Sequence, residues 1–376
     1  MTRFNKLIEV AQVMFKLGCF AFGGPAAHIA MLEEEVVEKR KWMTQEHFLD
    51  LIGATNLIPG PNSTEMTMHV GHERAGFWGL VIGGLSFIFP AVVITGILGS
   101  LYVAYGELPN IAPFIFGIKP AVLSVIFAAV LKLGKKAIKT TELGILGAIT
   151  VALTLLGVND VIALLITGLL GIFYFSIKNN KGNLKASYIP LMISTSSIPQ
   201  VQHITQSQIF LTFLKVGAVL YGSGYVLFAY LDAELVQIGW LTRGELMDAI
   251  AIGQFTPGPV LSTATFIGYQ LGGVLGAILA TLGIFLPSFF LVFALNPFIP
   301  KLRSNKKVRY FLDSVNVAAV AIMGVVLVQM SMTALTDWKG ILIGVLGFII
   351  TFGVKKANAM HIILGGSVLG YVLGMV

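Results

Sequence analysis

"LIPGPNST" occupies residues 57–64 and "FTPGPVLST" occupies residues 255–263, an offset of 198. Proline removes a backbone donor and disfavours helix in the residue before it, so each Pro-Gly-Pro must end the helix leading into it. The chain that carries these two breaks is 56% hydrophobic and only 11% charged. A soluble domain carries about 25% charged residues, so there is too little charge here to clothe a water-facing surface. Apolar runs at 77–105, 111–130, 160–175 and 271–295 approach or exceed the ~20 residues that cross a bilayer as a helix. The class is an all-α polytopic membrane protein, and the repeated breaks lie between its apolar runs.

The breaks belong to a longer correspondence. At the offset of 198, Trp42 matches Trp240, Thr44 matches Thr242, Asp50 matches Asp248 and Thr67 matches Thr265. Just upstream the offset is 199, pairing Lys16 with Lys215, Gly18 with Gly217, and Phe22-Gly23 with Tyr221-Gly222. The chain therefore reads as a tandem duplication: an N-terminal membrane repeat over 1–177, a polar linker over 178–206 and a C-terminal repeat over 207–376. Spans are expected at 4–24, 77–105, 111–131, 142–158, 160–177, 207–230, 271–295, 310–331, 339–354 and 359–375, about ten transmembrane helices with five in each half. An odd number sends the second half in from the opposite side. Such inverted-topology repeats typify secondary transporters, whose sites lie near the midplane and are built by interrupted helices.

Charge supplies the orientation. Most of the 25 basic residues fall into clumps at Lys39, Arg40, Lys41 and Arg74, at Lys132, Lys135, Lys136 and Lys139, at Lys178, Lys181 and Lys185, at Lys301 to Arg309, and at Lys355 and Lys356. With the spans above, all share one face, which the positive-inside rule makes cytoplasmic. The net charge of +7 is thus a topology signal and gives no reason to expect a nucleic-acid partner. Arg3, Lys6, Arg243 and Lys339 land on the other face, and the first two leave open whether the first helix crosses or is re-entrant. No signal-peptide cleavage pattern closes the 4–24 stretch. With Cys19 the only cysteine, no intramolecular disulfide can form.

The breaks are the candidate substrate site. Thr44 and Thr242 read as N-caps, the second with Glu245 as a capping box, and each helix they start ends at a Pro-Gly-Pro. At membrane depth freed amides must be buried in protein or face a cavity, and a restarted helix offers free N–H groups and a positive dipole end to an anion. Candidate binding residues are Gly23, Gly24, Pro25, Pro59, Gly60, Pro61, Asn62, Ser63 and Thr64 in one half, and Gly222, Pro257, Gly258, Pro259, Ser262 and Thr263 in the other. The alternative is that Pro-Gly-Pro only turns a loop at the membrane surface. Lys16 and Lys215 lie inside the first helix of each half, where a cation costs ~2.5–3.5 kcal/mol unless a dianion offsets it; the competing reading is snorkelling to an interface. Lys119, with Asn316 at the matching place, either lines the path or caps a kink. His28, Asp50, Glu65 and Asp248 are candidate proton carriers, or else polar caps and loop residues. His47, His69 and His72 show no metal-ligand spacing. No phosphate-binding or dinucleotide loop and no nucleophile elbow is present, so no cofactor, ATP-driven step or familiar hydrolase chemistry is indicated.

"FGGPAAHIAMLEEEVVEKRKWMT" followed by "NLIPGPNSTEM", and "YGSGYV" with "GWLTRGELMDAIAIGQFTPGPVLSTATFIGY", resemble the chromate ion transporter family in its long, two-domain form, over nearly the whole chain. The resemblance implies export of chromate across the cytoplasmic (inner) membrane, conferring resistance and driven by the proton-motive force or by exchange, with sulfate as the related dianion. It carries the family's motif onto Gly23, Gly24, Pro25, His28, Pro59, Gly60, Pro61, Asn62, Pro257, Gly258 and Pro259. Gly222-Ser223-Gly224 has no proline where Pro25 stands, so a strictly symmetric site does not follow. Rival readings are a sulfate carrier that takes chromate by mimicry, a membrane enzyme acting on lipid phosphates, and a scaffold subunit. Membrane lipid and a second copy in a homodimer are the other expected partners.

Overall fold

The computed structural model describes residues 2–22, 24–179, 204–221, 224–295, 298, 305–354 and 357–374. Gly23, Gly222, Lys181, Lys185, Lys301, Arg303, Lys355 and Lys356 lie outside the described residues. The protein is helical: α1 Arg3–Phe20, α2 Pro25–Glu33 with a π-helical continuation Glu34–Lys39, α3 Gln45–Thr55, α4 Asn62–Ala75, α5 Phe77–Tyr105, α6 Ala112–Ala137, α7 Thr141–Leu155 and α8 Asp160–Asn179. There follow α9 Gln206–Val219, a 3-10 turn Gly224–Val226, α10 Leu227–Leu231 with a π-helical continuation Asp232–Val236, α11 Arg243–Phe255, α12 Thr263–Leu295, α13 Lys306–Ala334, α14 Trp338–Gly353 and α15 Ala359–Gly374. Five helical stretches are long and apolar enough to cross a membrane, and α7, α14 and α15 are shorter apolar helices.

The expected span over 4–24 stops at Phe20, and the chain doubles back. Lys16 Nζ meets Glu35 Oε1 at 2.8 Å, while Glu9 takes Arg40 at 3.2 Å and Trp42 Nε1 at 3.3 Å. The α1 helix and the α2 segment are therefore an antiparallel hairpin. Next, α3 runs inward from its Thr44 cap, and α4 returns until Arg74 Nη2 reaches Glu9 Oε2 at 2.7 Å. Two hairpins thus open on one face before α5 begins at Phe77. The N-terminus accordingly shares a face with Lys39–Arg74, which corrects the expectation that Arg3 and Lys6 stand opposite those cations.

The second half repeats this pattern. Lys215 pairs with Glu234 at 2.6 Å, as Lys16 pairs with Glu35, and the capping box at Thr242 is formed on both sides. Helix α12 contains a corner at Gly273, φ 62, where the first half has Gly76, φ 69. Gly18 lies against the Phe87 carbonyl and Gly217 against the Ile284 carbonyl, so close that a Cβ at either would press on that backbone. Pro90 and Pro287 occupy matching places within α5 and α12.

Helices α5 and α12 run antiparallel: Phe77 touches Phe293 at one end, Tyr102 touches Phe266 at the other. The remaining helices fall into place by contact. Lys139 reaches Asp313 and Lys178 reaches Glu142, setting the ends of α6 and α8 and the start of α13 together on the Phe77 face. Gln206 bonds the Gly272 carbonyl at 3.2 Å, so α9 starts on the Tyr105 face. Lys339 bonds the Leu373 carbonyl there too, joining the start of α14 to the end of α15. The hairpins of the two halves therefore enter from opposite faces, although α1 and α9 each turn back.

Candidate functional site

The breaks meet between the halves. The Gly60 N–H donates to the Leu220 carbonyl at 2.6 Å, and the Gly258 N–H donates to the Ala21 carbonyl at 3.0 Å. Each Pro-Gly-Pro is thus fastened to the first break of the other half. Gly24, Gly60 and Gly258 stand at φ 79, 143 and 86, backbone that glycine alone adopts readily. Within the N-terminal half, His28 Nε2 lies 3.1 Å from the Ala21 carbonyl and its Nδ1 3.2 Å from Ser63 Oγ. With the proton assigned to Nε2, the ring donates to the carbonyl and accepts from the serine. His28, 4% exposed, is a strut between the two breaks of its own half.

From the start of α2 and the start of α4 opens a cavity of about 340 Å³, lined by Pro25, Asn56 and Asn62 on one side and by Lys132 and Lys136 of α6, with Lys139 just past its end, on the other. Asn316 of α13 and Tyr225 complete the wall. Asn62 Nδ2 donates to Asn56 Oδ1 at 2.8 Å, and Pro61 leaves the first turn of α4 with no side-chain cap. A second cleft of about 370 Å³ shares Asn56, Lys139, Asp313 and Asn316 with the first and adds Arg309, extending the basic path. Asp313 is held by Lys139 at 2.6 Å and Arg309 at 3.9 Å, which takes up its charge. Lys132 and Lys136 have no carboxylate within salt-bridge distance among the described residues. Two helix starts, three amides and two uncompensated ammonium groups converge on one cavity, a set of donors suited to an oxyanion. Positions 132 and 136 have the i, i+4 spacing of one helix face. That spacing is legible in the sequence, but the positive-inside bias alone accounts for these lysines until the cavity is seen.

The other candidates lie elsewhere. Lys16 and Lys215 point at Glu35 and Glu234 and do not line the cavity; the partner expected to be a dianion is a carboxylate in both halves. Lys119 meets Asp248 Oδ2 at 3.3 Å, and Tyr102 Oη donates to the same oxygen at 2.8 Å, around a buried Asp248 toward the Tyr105 end of α5. Beside it Arg243 is held by Asp232 at 3.0 Å and by Gln329 at 2.9 Å. Asp50 is exposed on α3. Thr263 Oγ1 bonds the Val260 carbonyl at 2.7 Å, whereas Thr64 Oγ1, Ser262 Oγ and both Glu65 oxygens are buried with no hydrogen-bond partner among the described residues. A larger groove of about 1010 Å³ between α6, α13 and α14 is walled by apolar side chains. Its Ser124 and Ser331 hydroxyls are bonded to helix carbonyls, so it offers nothing to an anion. No cluster of three or more His, Cys, Asp or Glu able to hold a metal occurs among the described residues.

No solved structure matches the chain. The probable chromate transport protein of Synechococcus elongatus is 29% identical over 360 residues, 93% of this chain and 91% of its own length. The chromate transport protein of Cupriavidus metallidurans is 28% identical over 97% of this chain and 93% of its own, and an uncharacterized transporter of Methanocaldococcus jannaschii 27% over 97% and 94%. The family model described as chromate transporter matches twice, at residues 8–172 and 207–371. A model that covers both halves, with relatives aligned from end to end, makes this chain a transporter and not an enzyme: it belongs to the chromate transporter family.

Proposed function

We propose that this protein exports chromate from the cytoplasm as a gradient-driven carrier, loading the dianion into the cavity between the starts of α2 and α4 and the lysine face of α6. The observation that carries the reading is that Lys132 and Lys136, uncompensated among the described residues, face two uncapped helix starts across about 340 Å³. The face on which this cavity opens also bears Lys39, Arg40, Arg74 and Lys178, and a basic face is cytoplasmic by the positive-inside rule. A basic funnel on that face gathers anions from the cytoplasm, in keeping with export.

In this reading the two halves form an inverted repeat. Each contributes two hairpins that turn back near the midplane and four crossing helices: α5 to α8 in one half, and α12 to α15 in the other. The Lys119–Asp248–Tyr102 and Arg243–Asp232–Gln329 contacts shut the outer face while the inner cavity stands open. Release outside would require these contacts to part as the inner cavity closes, by rocking of one repeat against the other.

Sulfate shares charge and shape with chromate, and the Asn, Lys and backbone donors here recognise both. A sulfate carrier is therefore the second reading. The deciding experiment is uptake of labelled chromate into inverted vesicles, with sulfate as competitor. The wild type is compared with Lys132→Ala/Lys136→Ala and with Lys135→Ala, whose side chain lies off the cavity face. We expect KM for chromate to rise at least ~10-fold in the double variant, the scale of losing a charge-assisted hydrogen bond, and to stay unchanged in Lys135→Ala. Unaltered uptake in the double variant would remove the cavity from the mechanism, and preference for sulfate would move the substrate to the second reading.

A further inference from the structure

Glu65 is the fourth residue of α4, on the first turn after the N-terminal Pro-Gly-Pro, and is fully buried. Neither of its oxygens has a hydrogen-bond partner among the described residues. Ser288 Oγ, from α12, is equally buried and equally without a partner. Both crowd the same glycine, since a Cβ on Gly60 would overlap Glu65 Oε1 and Ser288 Oγ. An ionised carboxylate taken out of water with no cation costs several kcal/mol, and the neutral acid escapes most of that.

The matching place in the other half has no such group. Thr263 stands at the offset of 198 from Glu65, with its hydroxyl already bonded to the Val260 carbonyl. Ala91 stands where Ser288 would be matched, and it is Ala91 that a Cβ on Gly258 would meet. The duplication thus keeps both breaks and places an ionisable side chain beside only one.

We infer that Glu65 is the proton-carrying site of this transporter, so that one proton leaves with each dianion and the inside-negative membrane potential, acting on the net single negative charge that moves, drives the pair outward. The inference rests on the proposed function above and deepens it. Its physical basis is repulsion: Glu65 sits on the helix turn that presents Asn62 to the cavity. A carboxylate there opposes a dianion at the start of α4, whereas the neutral acid admits it. The proton is taken from water on the loading side to form the carboxyl O–H beside the Ser288 hydroxyl. It is given back to water on the far side when the breaks part, and no electron transfer is involved. The ionisable neighbours are Tyr221 at the facing break, His28 of α2, held by the Ala21 carbonyl and Ser63, and His69 one turn along α4. Of the other elements packed against α4, α1 carries Cys19 and Lys16, which is turned to Glu35, and α3 carries Asp50, which is exposed. Helix α5 between residues 78 and 101 and α12 between residues 274 and 295 contribute none.

The test is chromate influx into proteoliposomes that hold a trapped pH-reporting dye, for the wild type, Glu65→Gln and Glu65→Asp. In the wild type, chromate influx should acidify the lumen. In Glu65→Gln, chromate should enter with at least ~10-fold less proton per anion, because the amide stands in for the neutral acid and cannot release a proton. In Glu65→Asp the proton flux should persist with a displaced pH profile. Acidification by Glu65→Gln equal to the wild type overturns the inference, as does wild-type chromate influx with no proton movement. If Glu65→Gln is inert, Glu65→Asp decides: a displaced pH profile supports the site, and an unchanged one overturns it. A wild type that moves neither chromate nor sulfate fails the proposed function itself, an outcome distinct from all of these.

Discussion

Gly60 and Gly258 occupy the same place in the two breaks, yet their surroundings differ. Gly60, at φ 143, is enclosed by Glu65 and Ser288, whereas Gly258, at φ 86, would bring a Cβ to 3.0 Å from the Ala91 methyl and 3.2 Å from the Gly18 carbonyl. A non-glycine residue in such backbone costs about 1–3 kcal/mol before any overlap is counted. Gly60→Ala adds an overlap with a buried carboxyl that cannot move far, and Gly258→Ala adds only a tight contact. We expect Gly60→Ala to lower the thermal midpoint of the purified protein more than Gly258→Ala does, and to abolish chromate uptake while Gly258→Ala retains a measurable fraction. Equal losses would mean that the two breaks are equivalent in the native state. The sequence made both glycines legible as break residues, because proline on each side ends any helix. It could not show that Glu65 folds back against one of them, since that depends on Ser288, which is remote in the chain.

At the scale of elements, the ion pairs Lys16–Glu35 and Lys215–Glu234 recur in the hairpins of the two halves, joining each first helix to the segment that returns beside it. The duplicated lysines were visible in the sequence, and so was the cost of a cation in an apolar helix. What stayed hidden was that α1 and α9 turn back, because a span of about 20 apolar residues looks alike whether it crosses or ends at the midplane. Once the hairpin forms, a glutamate 19 residues on becomes the neighbour. Glu234 is 12% exposed in its side chain and Lys215 53%, so removing the lysine strands a nearly buried carboxylate, at ~1–3 kcal/mol. Lys215→Ala should therefore destabilise the protein, and Lys215→Ala/Glu234→Gln should recover most of that stability. KM for chromate in the double variant should match the wild type, because neither side chain lines the cavity. A tenfold rise in KM that persists in the double variant would return Lys215 to the anion site.

For the whole molecule, the correspondence of the halves was the most legible feature, since the offset of 198 pairs caps, breaks and aspartates alike. The orientation of the halves was harder to read, because apolar length alone does not tell a crossing helix from one that turns back. The contacts give a more specific arrangement. Glu9 with Arg74 lies on the Phe77 face, Gln206 with Gly272 lies on the Tyr105 face, and α8 ends beside Glu142 on the Phe77 face. With the basic face cytoplasmic, the protein should begin inside, and α9 should begin outside. Cys19 is the only native cysteine, so a Cys19→Ala background permits a direct test with single cysteines at the exposed positions Asn5, Ser207 and Glu107. In intact cells a membrane-impermeant maleimide should label Ser207→Cys and Glu107→Cys, and should reach Asn5→Cys only after permeabilisation. Labelling of Asn5→Cys and Ser207→Cys from the same side would contradict the inverted arrangement and, with it, the reading of the Lys119–Asp248 cluster as the outer closure.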